Sequence, residues 1–255
     1  MRRVFITGST AGLGRAAASQ LIEEGHAVVL HARSLERAAA LADLVPRSAG
    51  IVIGDLSRAD ETRSVAEQVN RIGRMDAVIH NAGAYTTRGR ATEPDGNATA
   101  LAVNTRAPYL LTALMLRPDR LVYLSSDMHY GGRSDLRSLE AGSPRGDRDS
   151  IYSDSKLYVT ALAFAVARHW PQVLSNAVDP GWVPTRMGGP SAPDDLGSGH
   201  VTQAWLATSD DPAAKVSGGY WYHQQLQPPA AQALNPGFQD RLITTLARLT
   251  GVSLR

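Results

Sequence analysis

The sequence predicts an α/β fold: a single doubly wound domain whose mostly parallel sheet carries helices on both faces. Three observations predict it. Short apolar runs alternate with helix-periodic stretches along the whole chain. A glycine-rich loop, Thr7-Gly8-Ser9-Thr10-Ala11-Gly12-Leu13-Gly14, joins the first run to the first helix. No internal repeat or inter-domain linker divides the 255 residues. Alternation of this kind favours parallel strands buried on both sides, so residues 1–255 are read as one domain.

The elements follow in order. Residues 4–6 are the first strand, and 12–24 the first helix, with Leu13, Ala17 and Leu21 on one stripe and Gly25 as C-terminal cap. Residues 27–31 are the second strand; Ser34 caps an alanine-rich helix running to about Leu44. Residues 51–53 are the third strand, and Ser57-Arg58-Ala59-Asp60 resembles a capping box opening a helix to about Ile72. A fourth strand at 77–80, a long helix over 98–116 and a fifth strand at 121–125 come next. Residues 127–150, rich in Gly, Ser, Arg and Asp, lack a period and are read as a loop. A helix over 151–169 stops at Trp170-Pro171, and a sixth strand covers 175–178. The Gly- and Pro-dense stretch 183–199 is irregular and suits a mobile lid. A helix at 201–208, a short strand at 219–222 and a helix at 238–249 finish the chain.

Composition narrows the function. A hydrophobic fraction of 43% supports a sizeable core, and a net charge of +2 with interspersed signs is no nucleic-acid signature. With no cysteine, disulfides, thiolate catalysis and cysteine metal sites drop out, and a reducing cytoplasm is the expected setting. Apolar runs fall far short of the ~20 residues that span a bilayer. The start leads straight into Val4-Phe5-Ile6, which leaves no room for a signal peptide. His80 and His129 have no second ligand at a suitable spacing, so no metal site is expected.

The glycine loop is placed to hold phosphate. Small residues let backbone approach a pyrophosphate, and a helix N-terminus offers free N–H groups and the positive end of its dipole. The spacing Gly8-x-x-x-Gly12-x-Gly14 differs from the G-x-G-x-x-G dinucleotide fingerprint, and a tight packing turn is the plainer alternative. Cofactor choice is made at the end of the second strand. An acid there would bind the ribose hydroxyl of NAD; this chain has Ala32, Arg33 and Ser34, and an arginine accepts the 2′-phosphate of NADP. NADP(H) is therefore preferred over NAD(H), although an exposed arginine can also be mere surface.

Tyr152 and Lys156 are four residues apart, just over one turn, and so share a helix face. An ammonium beside a phenol stabilises the phenolate and lowers a pKa that starts near ~10. The pair thus promises proton transfer near neutrality.

Together these residues resemble the short-chain dehydrogenase/reductase family, whose fold is a Rossmann-type domain. Thr7–Gly14 matches its TGxxxGxG loop, Asn81-Ala82-Gly83 its NAG motif, Tyr152 and Lys156 its catalytic pair, and Pro180-Gly181 the PG after the sixth strand. Ser125-Ser126 followed by His129, the stretched segment before Tyr152, and Ser155-Lys156-Leu157 are similar to the retinol-dehydrogenase-like and antibiotic-ketoreductase-like branch.

The resemblance implies roles. Tyr152 would protonate a carbonyl oxygen, Lys156 would tune it and hold the nicotinamide ribose, and Ser126 would donate to the same oxygen. Asn104 would anchor a water-mediated proton path to Lys156, and Asp55, followed by Leu56, would bind the adenine amino group. Either residue is equally credible as a helix cap or turn residue, and Ser126 as a strand-end hydroxyl. Gly8, Ser9, Thr10, Gly12, Leu13, Gly14, Arg33, Ser34, Asn81, Ala82 and Gly83 would line the cofactor cleft. Pro180, Gly181, Val183 and Thr185 would close it, with Thr185 at the nicotinamide amide or the pyrophosphate. Tyr85, residues after Ser126 and the run from Trp182 to about Gly199 would form an apolar pocket.

The expected function is an NADPH-dependent oxidoreductase moving a hydride between nicotinamide and a small hydrophobic carbonyl or secondary alcohol. An NADP(H) sensor without turnover and a nucleotide-sugar epimerase or dehydratase are the alternatives. The first has no need of the Ser–Tyr–Lys set, and the second usually carries an added C-terminal domain. A homo-oligomer stays open.

Overall fold

The protein is described here by a computed structural model covering residues 1–85, 99–140 and 147–254. Eight strands form one sheet in the order β3-β2-β1-β4-β5-β6-β7-β8. These are β1 (Arg3–Ile6), β2 (Ala27–Ala32), β3 (Gly50–Ile53), β4 (Ala77–His80), β5 (Arg120–Leu124), β6 (Leu174–Asp179), β7 (Tyr220–Tyr222) and β8 (Gln225–Gln227). Every pairing is parallel except β7 with β8. The order reverses direction between β1 and β4, and a parallel sheet binds ligands in the crevice beyond the strand C-termini at such a switch point.

Among the described residues, ten α-helical segments flank the sheet: α1 (Gly12–Glu23), α2 (Leu35–Ala38), α3 (Ala59–Ile72), α4 (Thr99–Leu101), α5 (Ala107–Leu114), α6 (Arg137–Glu140), α7 (Arg148–His169), α8 (Val201–Thr208), α9 (Ala231–Leu234) and α10 (Pro236–Thr250). Side chains alternate across a strand, so β1 feeds two cores. Val4 and Ile6 pack with Ala17 and Leu21 of α1 and Leu206 of α8. Phe5 points the other way, into a core with Val65 of α3, Leu111 of α5, Leu162 of α7 and Leu242 of α10.

Several expectations need correction. The helix read from Ser34 to Leu44 is one α-turn, α2, followed by short 3-10 turns at Ala39–Leu41 and Val45–Arg47. Ser34 does cap it, accepting from the Arg37 N–H at 3.3 Å. Only Leu41 and Leu44 of this stretch are firmly buried, too few anchors to hold an alanine-rich helix, and Pro46 blocks its continuation. Ser57 does not cap α3; its N–H and hydroxyl both donate to Asp55 Oδ1, at 3.0 and 2.8 Å, in a tight turn.

The helix expected over 98–116 is broken by a π-helical turn at Ala102–Arg106, which contains Asn104; Ala98 lies outside the described residues. Residues 127–140, expected as loop, are built and anchored. A 3-10 turn at Asp127–Gly131 leads to α6, burying His129, Leu136 and Leu139. Asp154, wholly buried on α7, accepts from the Arg133 N–H at 2.8 Å, from the Arg133 guanidinium at 2.7 Å, and from Ser138. Residues 141–146 lie outside the described residues. Strand β8 and helix α9 carry no periodic signal in the sequence and appear only in the structure.

Candidate active site

The cleft opens where β1, β2, β4, β5 and β6 end. Helix α1 starts at Ala11 in extended backbone with no side-chain cap, so its first N–H groups are left for a ligand. Gly8 and Gly12 have φ of +71° and +55°, which a side chain would strain. A Cβ on Gly14 would lie 2.3 Å from Asn81 Nδ2 and 2.5 Å from the Gly8 carbonyl. Asn81 Nδ2 donates to the Thr7 carbonyl at 2.9 Å, and the Ala82 N–H donates to Thr7 Oγ1 at 2.9 Å. The Asn81-Ala82-Gly83 turn is thereby pinned beneath the loop, and glycine is required for steric contact as well as conformation.

Ser9 sits at the base of the loop. Its hydroxyl is fully buried, donating to the Ile6 carbonyl at 2.6 Å and accepting from the His31 N–H at 3.1 Å. It supports the loop from behind and offers a ligand no side chain. Thr10 and Leu13 are partly exposed at the loop surface. Leu56 has its side chain in the core.

At the end of β2, Arg33 is exposed and has no ion-pair partner among the described residues. Two residues earlier, and buried, lies His31, which the sequence reading passed over. Its Nδ1 accepts from the Gly8 N–H at 2.9 Å and its Nε2–H donates to the Gly54 carbonyl at 2.9 Å. Asp55 spends Oδ1 on Ser57 while its N–H donates to Glu61 at 2.7 Å, so the turn role is realised.

The proton-handling groups meet at the ends of β5 and β6. Lys156 is buried and donates from Nζ to the Leu124 carbonyl at 2.8 Å; Nζ lies 5.4 Å from the Tyr152 ring centroid. Burial pushes its pKa down to about 8, opposed by Asp179. The Tyr152 phenol is shifted upward, by burial first and by the Asp179 carboxylate second, against a smaller stabilising effect of Ser126. The shift therefore runs opposite to the lowering expected from Lys156, with desolvation as its largest cause. Tyr85 stands edge-on to Tyr152, with ring centroids 4.9 Å apart, and its hydroxyl donates to Asp149 at the start of α7.

Asn104 does not reach Lys156 through its side chain. Its Nδ2 donates to the Ala84 carbonyl and to Ser155 Oγ, both at 3.0 Å, and its Oδ1 accepts from the Ala84 N–H at 2.8 Å. It joins the turn after β4 to α7, and the π-turn sets it there, as such turns often do at functional sites.

The segment after β6 folds over the cleft. Thr185 lies against Gly12, where an added Cβ would come within 3.3 Å of its methyl, and the methyl end of Met187 faces Gly83. The segment is tied by Trp182 N–H to Asp194 at 2.6 Å, Trp182 Nε1–H to the Gly188 carbonyl at 2.8 Å, and Ser198 to Asp195. Val183 is buried, and Gly181 turns with φ of +82°. Among the described residues no three His, Cys, Asp or Glu side chains cluster as a metal site.

The family model described as short chain dehydrogenase matches residues 2–195. The chain belongs to the short-chain dehydrogenase/reductase family. It is 39% identical to an uncharacterized oxidoreductase of Emericella nidulans, over 100% of this chain and 99% of that one. It is 36% identical to the short-chain dehydrogenase chyC of Penicillium rubens, with 100% and 99% covered. A Streptomyces protein provisionally named daunorubicin C-13 ketoreductase is 33% identical, with 100% and 94% covered. Among solved structures, an uncharacterized protein from Mycobacterium paratuberculosis superposes with a TM-score of 0.83 at 24% identity, covering 100% of this chain and 95% of that one. A metagenomic blue fluorescent protein in complex with NADPH superposes with a TM-score of 0.70 at 20% identity, covering 87% and 95%. These likenesses establish an oxidoreductase family with a nicotinamide-binding fold.

Proposed function

We propose that this family member is an NADPH-dependent carbonyl reductase acting on a hydrophobic ketone or aldehyde. The observation that carries the reading is the buried Tyr152 phenol beside Lys156 at the mouth of a glycine-lined cleft. The residues fit a nicotinamide dinucleotide: an uncapped helix start, a cradle that a Cβ at Gly14 would fill, and an exposed arginine beyond β2, without an ion-pair partner among the described residues, where an acid is absent. When bound, the nicotinamide supplies or accepts the hydride.

The chain's own residues would do the rest. Arg33 would pair with a ribose 2′-phosphate, a charge-assisted bond worth roughly 1.5–3 kcal/mol. Lys156 would orient the ribose with its remaining donors. Tyr152 would deliver the proton to the carbonyl oxygen, and Ser126 would donate a hydrogen bond to that oxygen as charge develops. Tyr85, Trp182 and Met187 offer apolar and aromatic surface for the substrate. Trp182 and Met187 are 56% and 43% exposed, as suits a pocket wall awaiting a ligand.

No helix among the described residues is long and apolar enough to cross a membrane, and a cysteine-free chain suits a reducing cytoplasm. The test is NADPH oxidation against a panel of ketones, aldehydes and quinones, with the matching alcohols and NADP in reverse. Turnover of a hydrophobic carbonyl supports the reading; tight NADPH binding with no turnover of any panel member would favour a sensor instead.

A further inference from the structure

Asp179 takes no part in the roles assigned so far, yet it sits among them. It ends β6, is 8% exposed, and directly precedes Pro180-Gly181. Its Oδ1 accepts from the Gly181 N–H at 2.9 Å and its Oδ2 from the Tyr220 hydroxyl at 3.1 Å. Burial raises its pKa, while these two hydrogen bonds and the Lys156 charge act the other way and favour the carboxylate.

The sheet register explains the placement. Val178 pairs with Leu124, whose carbonyl holds Lys156 Nζ, and the Ser125 N–H donates to the Val178 carbonyl at 2.6 Å. The next residue along β6 is therefore delivered to the same end of the sheet as Ser126, Tyr152 and Lys156. Tyr220 of β7 touches it directly, and the other titratable groups whose charge couples to it are Lys156 and Tyr152 of α7, Asp127 beyond β5 and Tyr222 of β7. Asp194 of the covering segment stands behind, where a Cβ on Gly181 would meet its carboxylate. Lys156 is the single cation in this set.

We propose that Asp179 is a positioning residue that sets the protonation of the Tyr152–Lys156 pair, keeping the site in its proton-donating form at neutral pH. A nearby anion favours the ammonium and disfavours the phenolate, and does so more strongly in a desolvated site. Both effects run in this direction: Asp179 holds the Lys156 pKa up against burial and adds to burial in raising Tyr152. The proposal rests on the reading of Tyr152 as proton donor.

The test uses the full chain and Asp179→Asn, which keeps an oxygen acceptor for Gly181 and deletes the charge. Lys156 is one of only two lysines, the other being Lys215. Protein labelled with carbon-13 at lysine Cε, and free of cofactor, therefore gives two NMR signals, told apart with Lys215→Arg. The Lys156 midpoint, about 8 in the unaltered chain, is expected to fall by about one pH unit or more in Asp179→Asn, with Lys215 unmoved. The alkaline limb of the reduction rate should move down with it by a similar amount.

Tyr220→Phe removes a hydrogen bond but keeps the charge, so its Lys156 midpoint should stay in place. An unmoved Lys156 in folded Asp179→Asn, an equal shift in Tyr220→Phe, or a shifted Lys156 with an unmoved rate profile would each overturn the proposal. If no carbonyl compound is reduced at all, the functional reading falls, while the lysine titration still judges Asp179.

Discussion

The Nδ1 of His31 accepts the Gly8 N–H at 2.9 Å, coupling the end of β2 to the first turn of the phosphate loop. The ring is wholly desolvated, and burial pushes its pKa down to about 4. Only the neutral tautomer can accept at Nδ1 while donating at Nε2 to Gly54.

Acid stability follows from that bond. A histidine whose folded pKa lies below its unfolded value of ~6.5 binds more protons when unfolded. Its stabilisation is therefore complete above pH ~6.5 and is lost as pH falls toward ~4, by about 2 kcal/mol at pH ~5. His80, pushed down to about 3 by burial, acts with the same sign. Urea melts between pH ~7.5 and ~5 should show falling midpoints, and His31→Gln should flatten the dependence. An unchanged slope in that variant would show that the folded environment does not lower the His31 pKa.

Cofactor preference should reside in Arg33. Titration is expected to show NADPH binding about ten- to a hundred-fold more tightly than NADH, with Arg33→Ala removing most of that gap. Equal affinities in the unaltered chain would refute the assignment.

Tyr152→Phe keeps the ring against Tyr85 and deletes the proton donor. Turnover on an identified ketone should fall by ~10²–10⁴ while NADPH affinity changes little. Lys156→Ala should lower both. A Tyr152→Phe enzyme retaining most of its kcat would return the Tyr–Lys spacing to a coincidence of helix geometry.

The stretch before α7 should be firm rather than mobile. Asp154→Ala takes the shared acceptor from the Arg133 N–H, its guanidinium and Ser138, and should cost about 1–3 kcal/mol. Hydrogen exchange should find the Arg133 amide protected in the unaltered chain and released in the variant. Fast exchange of that amide in both would contradict the anchoring.

The sequence by itself determined the α/β alternation, the six parallel strands through β6, the glycine loop, and the Tyr152–Lys156 spacing. Each is written in local period, in residue type at a turn, or in separation along one helix. Tertiary structure decided what depends on partners distant in sequence. The alanine-rich stretch after Ser34 lost its helix because few of its residues found a core. Residues 127–140 became ordered because Asp154, on the next helix, collects their donors. The phenol of Tyr152 was expected to be lowered by its lysine and is instead raised, chiefly by burial and then by the Asp179 carboxylate. His31, Asp179 and Tyr220 entered the site unannounced for the same reason. Desolvation and long-range hydrogen bonding depend on the environment that the folded sheet assembles, and residue order along the chain does not encode that environment locally.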